Sequence, residues 1–170
     1  MNKACFLIIL ALTSIVYFAA NARTGTSPAS QTLNEDMAKG EETFMEYADR
    51  CLALMEKSAQ KMSVSGVAVI AFIPGDVTAS WISKMKVVGL LASESANFLA
   101  IAYAKASEMA TTFKNSGSSG REPLTGEFGW MGGIVKKVDS GYIIAAFSGA
   151  TGEQDAEISQ AGVDWLSSYY

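Results

Sequence analysis

Residues 147–162 read FSGATGEQDAEISQAG. This segment passes from a strand into a helix. Phe147 and Ser148 close an apolar, β-branched run, Gly141–Ser148 (GYIIAAFS). Thr151 is placed to cap the helix that follows, and Gln154, three residues on, completes a Thr-x-x-Gln capping box. Glu153 and Asp155 fall in the first turn, where negative charge complements the helix dipole. Ile158, Ala161, Gly162 and Trp165 recur at helical spacing and predict the buried face.

Working outward, Trp130–Val138 (WMGGIVKKV) reads as the partner strand, turned back by Asp139-Ser140 with Gly141 helping the hairpin. Before it, residues 115–129 (NSGSSGREPLTGEFG) form a long Gly/Ser-rich loop, either a lid or a disordered segment. A helix over about Ser95–Lys114 turns Phe98, Ile101, Ala102, Met109 and Phe113 inward. Gly66–Ile73 (GVAVIAFI) is a continuous apolar run of strand length, suited to burial on both faces. Pro74-Gly75-Asp76 makes a turn, and Val77–Met85 pairs back as a hairpin. A first long helix, Asn34–Met62, carries the stripe Phe44, Ala48, Cys51, Met55, Ala59 and Met62. Cys51 reads either as a buried small hydrophobe or as a reactive thiol, and burial favours inertness. Helices alternate with hairpins, so an α+β layered domain with a mainly antiparallel sheet is expected. No dinucleotide or P-loop glycine motif is present.

The N-terminus carries an address. Lys3 precedes the apolar run Cys5–Phe18, and Ala20-Asn21-Ala22 is a small-x-small cleavage site. The alternative, an uncleaved anchor, needs about 20 apolar residues, and this run is shorter. The chain is therefore expected to divide into a signal peptide (1–22), a flexible leader (23–32) and one domain (33–170), and to reside in the periplasm or be secreted. No stable membrane insertion is expected after cleavage.

The net charge is −4 over 170 residues. Residues 1–22 hold one lysine and no acid, so removing them gives −4 − 1 = −5. An acidic chain without basic clusters argues against nucleic acid. Beyond Cys5 the single cysteine is Cys51, so an internal disulfide is excluded. The chain has no histidine. That removes Ser-His-Asp and Cys-His catalysis, the usual zinc sites and the commonest haem ligand. Acid–base work would fall to Asp, Glu, Lys or Tyr.

Four stretches together resemble the GlcG/HbpS-like family. The first is the opening segment, through Ser148, Gly149, Ala150, Thr151, Glu153, Gln154, Asp155, Ala161 and Gly162. The others are the helix around Lys105 and Ala106, the Gly132-Gly133-Ile134 entry to the hairpin, and the strand residues Val67-Ala68-Val69. The resemblance spans about Leu52–Leu166. It departs at two places: the family's Asp-x-Gly-Gly after the first strand is replaced by Ala71-Phe72-Ile73-Pro74-Gly75-Asp76, and its Arg-Met-Asp-Gly by Lys84-Met85-Lys86-Val87.

The resemblance implies a profilin-like three-layer domain: a five-stranded, mainly antiparallel sheet flanked by helices, assembling into homo-oligomers. Some members are exported and bind haem, and one works beside a sensor kinase. The expectation is thus an exported, non-enzymatic haem- or tetrapyrrole-binding or haem-sensing protein with a sensor protein as partner. The alternatives are an accessory protein binding a small organic acid, or an enzyme using Asp, Glu or Lys.

Candidate ligand-binding residues are Lys105, Gly133, Ser148, Gly149, Thr151 and Glu153. Backbone N–H groups at the Ser148–Gly152 turn could hold a carboxylate or propionate; the alternative is a plain capping turn. Lys105 is either a cation beside a pocket or a snorkelling lysine. Met131 and Tyr103 are the candidate haem axial ligands. No protein-only metal site is expected. Trp165 reads as core, and Tyr169 and Tyr170 as an oligomer contact or a frayed end.

Overall fold

The computed structural model describes residues 28–170. The expected signal peptide, and the expected leader up to residue 27, lie outside the described residues. The elements run α1 (Pro28–Lys61), β1 (Gly66–Pro74), β2 (Ile82–Val88), α2 (Phe98–Thr112), β3 (Gly133–Val138), β4 (Gly141–Ser148) and α3 (Gly152–Ser167). Residues 28–32, expected in the leader, belong to α1.

The domain is α+β. Among the described residues the sheet has four strands, not five, in the order β2-β1-β4-β3, and all neighbours are antiparallel. β1 and β4 are the central pair, in register from Val67 opposite Ser148 to Pro74 opposite Gly141. Successive strand side chains point to opposite faces. Ala68, Ile70 and Phe72 therefore meet α1 and α3, while Val67, Val69, Ala71 and Ile73 meet α2. Both faces of β1 are buried, as its unbroken apolar run predicts.

The α1 stripe packs as expected at Phe44, Ala48, Cys51, Met55 and Ala59, all fully buried; Met62 only flanks the core. β2 is displaced along the chain. It begins at Ile82, so residues 77–81 are loop, with the Thr78 hydroxyl bonded to Ala110 O and Trp81 edge-on to Tyr103 at 6.4 Å. α2 starts at Phe98 because Asn97 caps it, its side chain accepting from the Ala100 N–H. It stops at Phe113, which adopts a left-handed conformation and donates its N–H to Met109 O.

α3 has the predicted capping box at Thr151 and Gln154. Its buried face is Asp155, Ile158, Ser159, Gly162, Val163 and Leu166. Trp165 is only half-buried, stacked edge-on to Tyr47 and Tyr169. The C-terminus is clasped to α1. Tyr169 stacks on Tyr47 at 3.9 Å, and the Tyr170 hydroxyl donates to Gly40 O at 2.9 Å.

Candidate functional site

A cleft of about 560 Å³ opens at one end of the sheet. Four parts of the chain wall it: the start of α2 (Phe98, Ile101, Lys105), the end of the long loop (Gly129, Trp130, Met131), the β4–α3 turn (Ser148, Gly149, Ala150) and the first turn of α3 (Gly152, Asp155). The opening segment of the sequence supplies the last two. A neighbouring hollow shares Phe98, Gly149 and Ala150 with it.

The closed end of the cleft is an ion pair. Lys105 Nζ donates to Asp155 Oδ2 at 2.7 Å and to Phe147 O at 2.8 Å. Asp155 Oδ1 accepts from the Ala150 N–H at 3.1 Å. The two side chains are 3% and 4% exposed. Lys105 is thus neither solvated nor snorkelling. An ammonium has three N–H donors, so one remains beyond the two protein acceptors. Burial pushes the Lys105 pKa down, against the opposing pull of Asp155. Burial likewise pushes Asp155 up, opposed by Lys105 and the Ala150 N–H. Both shifts favour moving the shared proton toward the carboxylate.

Gly132 makes this arrangement fit. Its φ is +122°, and a Cβ there would lie 2.5 Å from Lys105 Nζ. The same backbone conformation ends the strand early: β3 starts at Gly133, not Trp130, and Ser159 Oγ donates to Gly132 O at 2.7 Å. Trp130 and Met131 are consequently freed from the ladder. They stand 53% and 48% exposed on the cleft rim, with Phe128 stacked on Trp130 at 4.8 Å. Met131 packs over Gly152, where a side chain would collide with it.

The long loop is built, not disordered. Glu108, 1% exposed, accepts the Gly117 N–H at 3.0 Å. Asn115 Oδ1 accepts the Val135 N–H, and Ser116 exchanges hydrogen bonds with Gly133. Arg121 grips Glu127 with two N–H donors at 2.7 and 2.8 Å. The Leu124 N–H adds a third contact to that carboxylate, and its pKa falls to about 2, chiefly through Arg121.

The cleft gathers Lys105, Ser148, Gly149 and Met131 from the sequence-derived candidates. Four others lie elsewhere. Thr151 and Glu153 are exposed, and the Thr151 hydroxyl is occupied by the Gln154 N–H at 3.3 Å. Gly133 is buried, tight against Met109 and Ser116. Tyr103 is two positions from Lys105, about 200° around the helix, with its hydroxyl 3.4 Å from Ser83 Oγ. Asp155 was legible as a dipole-complementing acid and as a position of the family-like segment, not as the partner of Lys105, and Glu108 had no signal at all. Among the described residues no group of three or more His, Cys, Asp or Glu could hold a metal. None of the described helices is long and apolar enough to cross a membrane.

No protein-family model and no curated protein matches the chain. Its fold is similar to the crystal structure of Klebsiella pneumoniae protein ORFY, of the family model DUF336. The TM-score is 0.54 at 18% identity, covering 72% of this chain and 88% of that one. DUF336 is the GlcG-like family. At that identity the likeness is one of fold.

Proposed function

We propose that this chain is an exported, non-enzymatic protein that binds or senses haem or a related tetrapyrrole, on a profilin-like GlcG/HbpS-type domain. The observation that carries the reading is the make-up of the cleft. One end offers Lys105, buried and paired with Asp155, beside the start of α3. The first helical turn leaves N–H groups without intrahelical acceptors; Thr151 takes that of Gln154, and Gly152 lines the cleft. The other end is apolar: Phe98, Ile101, Trp130 and Met131. A planar ligand with carboxylate arms has this same division. Its arms suit the cationic end and its ring the aromatic rim.

The Met131 thioether is the axial-ligand candidate that the cleft contains. Tyr103, on the opposite side of α2, is not proposed for that role. The volume falls within the roughly 300–1,000 Å³ usual for small-molecule sites. A homo-oligomer and a sensor partner belong to the same proposal, on the family resemblance.

Trp130 supplies the test. Trp130→Ala should weaken hemin binding, read as the affinity from a Soret titration, while the fold is kept. An unchanged affinity in Trp130→Ala would move the ligand away from this cleft. A small organic acid is the second reading. It is favoured by the third Lys105 N–H donor; the charges of Glu153 and Asp155 oppose it as they oppose the carboxylate arms of a tetrapyrrole, and it makes no use of the apolar rim.

A further inference from the structure

The Lys105–Asp155 pair has chemistry that ligand binding alone does not use. A lysine amine becomes a nucleophile when desolvation favours its neutral form, and it then needs a nearby group to carry protons. Lys105 meets the geometric conditions. Lys105 lines a cleft of about 560 Å³, it is buried, and the carboxylate 2.7 Å from Nζ is its hydrogen-bond partner. We propose that Lys105 Nζ forms a reversible imine with a small aldehyde or α-keto acid admitted to the cleft, with Asp155 carrying the protons. This goes beyond the haem reading and depends only on the cleft.

The steps balance within the pair. The ammonium proton passes to Asp155, leaving a neutral amine and a carboxylic acid. Nζ adds to the carbonyl carbon, and the carbonyl oxygen takes the Asp155 proton. The new N–C centre returns a proton to Asp155, giving a neutral carbinolamine. Asp155 then protonates the departing hydroxyl; the C–O bond breaks, water leaves and C=N forms. Amine, acid and carbonyl compound become iminium, carboxylate and water, with no other reactant. The product is again a cation beside Asp155, so the buried charge balance is kept. Burial lowers the Lys105 pKa, and each unit of lowering raises the free amine at neutral pH roughly tenfold.

The test incubates the purified protein with pyruvate, and separately with glyoxylate, and reduces with cyanoborohydride at neutral pH. Peptide mapping by mass spectrometry then locates the adducts. The expected result is an adduct on Lys105 formed at least roughly tenfold faster than on exposed lysines such as Lys137. Lys105→Arg removes that adduct and leaves the background. Adducts confined to exposed lysines, or equal rates at every lysine, would overturn the proposal. The wild-type map decides the matter even if a variant fails to fold. Loss of hemin binding alone would not produce either result.

Discussion

Lys105 and Asp155 are 50 residues apart in sequence and 2.7 Å apart in the fold, each almost wholly buried. The pair ties α2 to the first turn of α3 and closes the cleft. Breaking one side leaves an uncompensated buried charge, which costs about 3–5 kcal/mol. Asp155→Leu is therefore expected to lose stability on that scale in urea denaturation. Lys105→Met combined with Asp155→Leu is expected to recover most of it, because a well-packed apolar pair avoids the desolvation cost. A double variant no more stable than Asp155→Leu would contradict this account of the pair.

Glu127 predicts an acid limb. Its folded pKa is lowered to about 2, largely by Arg121. A carboxylate depressed in the folded state stabilises above its unfolded pKa, and the contribution is lost as pH falls through the folded value. Stability should thus decline from the ordinary carboxylate range down to about pH 2. Glu127→Gln should flatten that part of the profile, measured by thermal melts across pH. Because Arg121 is partly exposed, added salt should reduce the difference.

Cys51 is predicted to be inert. Burial pushes its thiol to about 12, and Sγ lies 3.4 Å from Gly162 O. Iodoacetamide should leave Cys51 unmodified in the native protein and modify it in urea, as read by peptide mapping. The same contact makes Gly162 a tight crossing of α1 and α3. A Cβ there would meet Met55 Sδ at 2.7 Å. Gly162→Ala should cost about 1–3 kcal/mol by overpacking.

Thr151 separates capping from binding. Its hydroxyl accepts from Gln154 and its N–H reaches the Gln154 side chain. Thr151→Ala should cost about 1 kcal/mol with hemin affinity unchanged. A loss of affinity at preserved stability would place the hydroxyl at the ligand.

Local chemistry made much of this fold legible. The capping box, the Asp139-Ser140 turn and the run Gly66–Ile73 are each specified by adjacent residues, and the structure has all three. The Asn97 cap was not read from the sequence, which placed the start of that helix at about Ser95. The displaced β2 was not readable, because residues 77–81 lie along α2 through contacts distant in sequence. The cleft was half legible. Lys105 and the Ser148–Gly149 turn could be singled out, but only folding shows that Lys105 is paired with Asp155. Trp130 and Met131 looked like strand because an aromatic and an apolar residue extend the β-prone run that follows them. The positive φ of Gly132 is what turns them out to the rim.

The central claim is that the cleft takes a haem-type ligand, and a hemin titration followed at the Soret band tests it most directly. The account predicts a saturable shift at one hemin per chain, an altered spectrum in Met131→Ala and an unaltered one in Tyr103→Phe. No Soret shift with protein in the tens of micromolar would contradict it.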